Sequence, residues 1–189
     1  TNTMIETIDV RLLRIPMDGS YSTVHYDSQY QESALVVLSA PDGTRGIGTA
    51  DVTGGYGYQA PAELMTSLED VLVPEIRARR PRTPNELDRV LDSIPGHLNA
   101  KSALEMAFLD LYCSSRDQSI AEFLGGTLYS SESLNGWVGI DRPSTMADEA
   151  KAFSDRGFDS IKIKFSGDRD ADVDRLARVD DAVGGELQI

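Results

Sequence analysis

Two lysines stand two residues apart in an otherwise apolar run, "SIKIKF". The 189-residue chain has only four lysines beside fourteen arginines, and this run holds two of them, Lys162 and Lys164. Alternate residues of a strand point to the same side, so the two amines share one face, roughly 7 Å apart. The apolar residues Ile161, Ile163 and Phe165 share the other face. Since a parallel sheet is covered on both faces, a lysine-lined face favours a functional site over a solvated surface.

The lysine pair is suited to proton abstraction. Two close, partly desolvated ammonium groups lower each other's pKa, so one can titrate well below its usual value of about 10.4. A lysine with a pKa of roughly 7–8 is a competent general base, and its charged neighbour can hold a carboxylate. The pair therefore suits removal of a proton next to a carboxylate through an enolate, a step usually assisted by a divalent metal.

The same pair fits two other classes of protein. In a Schiff-base lyase, Lys164 would attack a carbonyl group and Lys162 would lower its pKa. In a non-catalytic binding domain, the lysine face would have no chemical role. Trapping with borohydride separates the lyase from the enolate chemistry, because only the lyase forms an adduct that can be reduced.

The region around the lysines alternates strands with helices. The strand "SLNGWVGI" precedes a helix with Met146, Ala150 and Phe153 on one face, and "SIKIKF" precedes a helix carrying Val173, Leu176, Ala177 and Val183; "ELQI" would begin a third strand. Such alternation predicts a parallel sheet with crossover helices. Trp137, on the first strand, fits either the core or the pocket, and we include it among the candidate substrate-binding residues.

The preceding residues predict a separate domain, 1–128, with a second domain at 129–189. Alternating residues from Ile8 to Leu12, then "SALVVLSA" and "TRGIGTADV" around a "PDG" turn, predict an antiparallel meander. The Tyr-rich segment 18–31 is predicted to be a long loop. Helices follow, one of which starts at a Thr83–Glu86 capping box with Pro at its first position.

The motif "GYGYQA" (Gly55–Ala60) fits the G-x-G-x-x-A dinucleotide fingerprint. Its strand belongs to an antiparallel hairpin, however, and no parallel strand arrives within about thirty residues to complete the unit. We therefore interpret it as a loop that covers a site. Tyr56 in this loop and Tyr26 in the other Tyr-rich segment are candidate substrate-binding residues.

Composition excludes several classes of partner. Thirty-one acidic against eighteen basic residues give a net charge of −13, which disfavours nucleic acid and anionic membranes. No run of about eighteen apolar residues could span a bilayer, and the N-terminal residues do not resemble a secretion signal. A single cysteine, Cys113, excludes an internal disulfide and is predicted to be a buried apolar residue. We expect a cytoplasmic protein.

Three stretches carry a family resemblance: "AKSALEMAFLDLYCSSRDQSIAEFLGG", the Lys-x-Lys at Lys162–Lys164, and "GDRDADVDRLARVDDAVGGELQI". With them the chain resembles the N-terminal part of enolase-superfamily proteins of the mandelate racemase and muconate lactonizing group. The resemblance implies an α+β capping domain followed by the first βα units of a truncated (β/α)₈ TIM barrel. It also implies that Lys164 is the base, that Lys162 lies beside the substrate carboxylate, and that loops 21–30 and 53–58 close over the substrate.

The resemblance further implies Mg²⁺ as cofactor, with ligands at the ends of the third to fifth barrel strands, beyond Ile189. We therefore expect these 189 residues to belong to a longer protein, and to bind no catalytic metal and turn over no substrate alone. The expected activity of the intact protein is that of a racemase, epimerase or cycloisomerase, with sugar-acid dehydration as the alternative. Its expected partners are a small carboxylate substrate and further copies of itself.

Overall fold

The computed structural model describes residues 4–22, 27–52, 60–185 and 187–189, without the side chains at 18–22 and 27–28. The chain divides into two compact units. The first comprises Thr1–Pro16 with Tyr30–Leu128, and the second Met17–Gln29 with Tyr129–Ile189. Among the described residues, no helix is both long enough and apolar enough to cross a membrane.

A three-stranded sheet has the order β1 (Thr7–Ser22), β2 (Asp27–Ser39) and β3 (Arg45–Val52). β2 and β3 pair antiparallel, as the meander predicts. The predicted long loop at 18–31 is wrong, because β1 continues to Ser22 and β2 begins at Asp27. The hydrogen bonds between neighbouring strands join backbone groups only. A polar segment rich in tyrosine can therefore continue a strand.

A helix packs closely against β3 because two of the strand's residues lack side chains. On the buried face, Val36 and Leu38 of β2 lie opposite Gly48 and Gly46 of β3. A Cβ atom at Gly48 would overlap the carbonyl oxygen of Ala103 in the helix α4 (Leu98–Ser114). The buried face of α4 includes the predicted residues Leu104, Ala107 and Leu111.

The helical segment from Pro61 to Arg79 has three parts: α1 (Pro61–Thr66), a π-helical segment (Ser67–Leu72) and α2 (Val73–Arg79). In the π-helical part, the Val73 N–H donates to the carbonyl of Leu68, five residues back. Pro74 follows directly and has no N–H to donate, a position where the ordinary helical ladder would be broken. Six residues along the segment are buried: Ser67, Val73 and a series spaced by four that consists of Leu64, Leu68, Leu72 and Ile76.

The predicted capping box is present in part. The side chain of Thr83 accepts a hydrogen bond from the Glu86 N–H (3.3 Å) at the start of α3 (Pro84–Asp92). The carboxylate of Glu86 accepts from the N–H of Arg82 (2.7 Å). In a standard capping box, this carboxylate would accept from the N–H of the N-cap residue, Thr83. Here it accepts from the residue before it. The short helix α5 (Ile120–Phe123) follows α4.

The second unit contains a parallel pair of strands, β4 (Gly136–Val138) and β5 (Ile161–Ile163), and the helices α6 (Pro143–Asp155) and α7 (Arg169–Val183). A parallel bridge between Ser160 and Gln188 adds the start of a third strand, as predicted. Its core consists of residues from both strands, both helices and the start of the third strand: Val138, Met146, Ala150, Ile161, Val179, Val183 and Leu187.

Two details of the second unit differ from the sequence prediction. Phe165 is 51% exposed because β5 ends at Ile163 and the chain then turns toward α7. On α7 the predicted residues Val173, Leu176 and Ala177 are exposed, and only Val183 of the predicted face is buried, because the helix buries Asp172 and Val179 instead. The carboxylate of Asp172 binds the turn before the helix, which fixes the rotation of α7 about its axis.

Candidate active site

The two lysines lie on the sheet face opposite the helices. Ile161 and Ile163 pack into the core formed with α6 and α7, and Lys162 lies between them in β5 with its side chain exposed. Lys164 follows the strand and is partly buried, and its N–H donates to the carbonyl of Val138 in β4 (3.3 Å). This is the sidedness that the alternation of the sequence predicts.

Trp137 shares the lysine face. It pairs with Lys162 in the register of β4 and β5, between Gly136 and Val138, which are both buried. Its side chain is 41% exposed, whereas its two strand neighbours face the helices. Gly136 is required there, because a Cβ atom would lie 2.5 Å from the ring of Phe153 in α6.

The pKa of Lys164 lies below the ordinary value of a lysine. Partial burial is the main cause, since it disfavours the charged amine. The positive charge of Lys162 lowers the pKa further, as does a hydrogen bond from the Lys162 side chain. The structure thus brings together two amines of which one gives up its proton more readily, the property that a general base needs.

Sequence reasoning missed an ion pair that holds the turn after Lys164. Asp172 and Arg175, on the first two turns of α7, are joined by a 2.8 Å contact, with side chains 12% and 16% exposed. Asp172 also accepts hydrogen bonds from Ser166 and Gly167. The signal was present as an Asp-x-x-Arg spacing just after a helix start, since residues three apart face the same side of a helix.

Two candidate residues cannot be placed. Tyr26 and Tyr56, like Gly55 and Gly57 of the Gly-x-Gly motif, lie outside the described residues. Cys113, in contrast, is buried in α4 as predicted, and burial raises the pKa of its thiol, which disfavours a nucleophilic role.

The described residues do not fit a metal ion. No group of three His, Cys, Asp or Glu side chains among them is arranged to hold one. Mg²⁺ takes oxygen ligands in a near-octahedral arrangement, chiefly carboxylates and water. The side chains of two lysines and a tryptophan contain no oxygen and cannot serve as its ligands.

Comparison with known proteins decides the family. Residues 2–125 match the family model described as the mandelate racemase / muconate lactonizing enzyme N-terminal domain. The chain belongs to this family of the enolase superfamily. The predicted fold class is thereby confirmed: a capping domain with an antiparallel meander and helices, followed by a few βα units.

The similar proteins are isomerases and related enzymes. An N-succinyl-L-Arg/Lys racemase of Bacillus cereus is 22% identical over 98% of this chain and 50% of its own length. A muconate lactonizing enzyme of Pseudomonas fluorescens, solved with muconolactone, has a TM-score of 0.88 at 23% identity, over 99% of this chain and 52% of that one. A dipeptide epimerase of Enterococcus faecalis, solved with Mg and L-Leu-L-Tyr, has a TM-score of 0.84 at 24% identity, over 97% and 51%.

The chain spans about half the length of the curated relatives that it matches. Those relatives also include chloromuconate cycloisomerases, o-succinylbenzoate synthases and a cis-3-hydroxy-L-proline dehydratase. The family therefore includes both isomerases and enzymes that eliminate water, and similarity at this level supports the fold without choosing between these activities.

Proposed function

We propose that the intact protein is a racemase, epimerase or cycloisomerase that removes the proton next to a substrate carboxylate and passes through an enolate. Lys164 is the base that takes the proton. Lys162 stays cationic, lies beside the carboxylate and keeps the Lys164 amine easy to deprotonate. Trp137 provides an apolar contact for the substrate on the same sheet face.

One observation carries this proposal: the two amines lie together on the side of the sheet away from α6 and α7, and the pKa of Lys164 is lowered there. A lysine face serving only solubility would keep both amines in water, where neither burial nor a close like charge disfavours protonation. The isomerases among the relatives support the same chemistry.

We further propose that Mg²⁺ supports this reaction in the intact protein, with ligands from outside these 189 residues. Dipeptide epimerases of the family have been solved with Mg. The ion would supply charge stabilisation for the enolate. The described residues instead contribute the base, the carboxylate contact and the apolar wall.

The test is exchange of the substrate α-proton with solvent deuterium, measured by mass spectrometry on the full-length protein. N-succinylated amino acids, dipeptides and muconolactone form the first panel, since relatives are named for or solved with such compounds. We expect exchange in the wild type and loss of exchange in Lys164→Ala. Lys151→Ala is the matched control, because that lysine pairs with Asp155 on the outer helix α6. Exchange that persists in Lys164→Ala would remove this residue from the role of base.

A dehydratase is the second candidate, favoured by the hydroxyproline dehydratase among the relatives. Both activities begin with the same proton transfer and differ in the fate of the enolate. An acid with hydroxyl groups on both the α-carbon and the β-carbon separates them, because only a dehydratase expels the β-hydroxyl as water and leaves an enol that becomes a 2-oxo acid. A Schiff-base lyase would instead form an adduct that borohydride reduces, and we expect none.

A further inference from the structure

A buried carboxylate holds the turn that follows Lys164. Asp172 accepts hydrogen bonds at Oδ1 from the Ser166 N–H (2.9 Å) and hydroxyl (2.9 Å) and from Arg175 (2.8 Å), and at Oδ2 from the Gly167 N–H (2.9 Å). Burial alone would raise the pKa of Asp172, but these bonds outweigh it and lower the pKa. A carboxylate so fully bonded fixes the path of the backbone around it.

Arg175 extends this network to the neighbouring strand. Its Nε donates to the carbonyl of Asp141 (3.0 Å), which lies three residues beyond the end of β4. Its Nη1 donates to the Ser166 hydroxyl (2.9 Å) and to Asp172. The loops that follow β4 and β5 are therefore tied to one helix by a single ion pair, whose planar guanidinium can bond several acceptors at once.

The backbone of Lys164 lies between its last strand contact and this turn. β5 ends at Ile163, and the Lys164 N–H makes a long 3.3 Å bond to Val138. Two residues later the chain is held at Ser166 by Asp172. The direction of the Lys164 side chain thus depends on one strand bond before it and on the turn after it.

We propose that Asp172 and Arg175 are positioning residues, which hold the Lys164 amine beside that of Lys162 by fixing the ends of β4 and β5. This inference rests on the proposed function, in which Lys164 is the base. The pair acts through position, because the Asp172 charge is matched by Arg175, and the pKa of Lys164 responds to burial and to Lys162.

The experiment compares Asp172→Asn and Arg175→Lys with the wild type in the full-length protein. An amide can replace only one carboxylate oxygen as acceptor, so Asp172→Asn loses a bond to the turn. A lysine keeps the charge opposite Asp172 but cannot also reach Ser166 and Asp141. The matched control is Asp174→Asn, which makes the same charge change at an exposed position of α7.

Two readouts are measured: the titration midpoint of the Lys164 amine, by ¹⁵N NMR, and kcat and KM for α-proton exchange. We expect Asp172→Asn to move the midpoint upward, since the amine moves away from Lys162 toward water. We expect kcat to fall about 100-fold, because a displacement of about 1 Å has that effect on a reacting group. KM should stay within about threefold, and Arg175→Lys should fall between Asp172→Asn and the control.

A folded Asp172→Asn variant with the wild-type midpoint and the wild-type kcat would overturn the inference and leave the ion pair a purely structural role. If the wild type itself shows no exchange, the proposed function fails, while the midpoint still decides whether the pair positions the amine. Should Asp172→Asn not fold, Ser166→Ala keeps the backbone N–H that binds Asp172 and removes only the hydroxyl, which donates to Asp172 and accepts from Arg175. It must then shift the midpoint in the same direction by a smaller amount, and no shift there would equally refute the proposal.

Discussion

Trp137 lies directly across from Lys162 in the parallel pairing of β4 and β5, on the face opposite α6 and α7. An indole ring beside an amine provides apolar contact area and a surface that attracts cations. We predict that Trp137→Ala raises KM about tenfold, equivalent to about 1.4 kcal/mol of lost substrate contact. The α-proton exchange rate at saturation should change little, as steady-state kinetics will show. Trp137→Phe keeps a ring and should recover most of the affinity, and an unchanged KM in the alanine variant would place the indole outside the substrate site.

The charge of Lys162 should control the pH at which Lys164 becomes a base. Replacing Lys162 by methionine keeps the length of the side chain and removes the like charge, so the pKa of Lys164 must rise. The rising limb of the exchange rate against pH should therefore move to higher pH. The folded protein binds fewer protons at Lys164 than the unfolded chain does. The free energy of unfolding of the wild type therefore increases as the pH rises toward the ordinary pKa of a lysine. Lys162→Met should reduce that gain.

The measurement is the midpoint of the Lys164 amine by ¹⁵N NMR, with Lys151→Met as the control for loss of a distant positive charge. Lys162→Arg keeps the charge and should leave the midpoint low. A midpoint that is the same in Lys162→Met and in the wild type would show that burial alone accounts for the lowered pKa.

The close contact between β3 and α4 should make Gly48 intolerant of any side chain. Gly48→Ala places a methyl group against the carbonyl oxygen of Ala103, so the helix must move away from the sheet. We predict a loss of about 3 kcal/mol in the free energy of unfolding, the upper part of the range for overpacked cores. Thr49→Ala changes an exposed neighbour on the same strand and should cost less than about 0.5 kcal/mol. Urea denaturation of both variants provides the comparison, and equal midpoints would contradict the tight fit.

The hydroxyl of Thr83 should stabilise the start of α3. Thr83→Ala removes the acceptor for the Glu86 N–H, and we predict a loss of about 1 kcal/mol in the free energy of unfolding. Thr83→Ser retains the oxygen and should remain close to the wild type. Thermal unfolding followed by circular dichroism distinguishes them. If alanine and serine behave alike, the bond that the Arg82 N–H donates to the Glu86 carboxylate suffices to start the helix.

Features that depend on short stretches of sequence were predicted well. The sides of β5, the buried face of α4 and the capping of α3 each follow from a spacing of two, three or four residues, and the structure confirms them. The parallel pairing of β4 and β5 follows from the alternation of strands and helices, because a crossover helix returns the chain in the same direction.

Features that depend on a contact between segments were missed. In the sequence, nothing distinguishes Asp172 from the other acidic residues of α7. Its hydrogen bonds to the turn at Ser166 and Gly167 explain why it is buried and Val173 is not. The length of β1 and β2 was missed for a related reason. The partner strand supplies the hydrogen bonds that keep a polar segment extended, and the local composition does not reveal a partner.

The π-helical segment Ser67–Leu72 affects which side chains of the surrounding helix face the core. Leu64, Leu68, Leu72 and Ile76 are spaced by four, and in a uniform α-helix that spacing would advance about 40° per step and about 120° in all. A turn that winds less per residue cancels this drift and keeps all four in phase. Deleting one residue there would rotate every later side chain of α2 about the helix axis, away from the buried face. Substitutions in this segment should therefore be tolerated better than insertions or deletions.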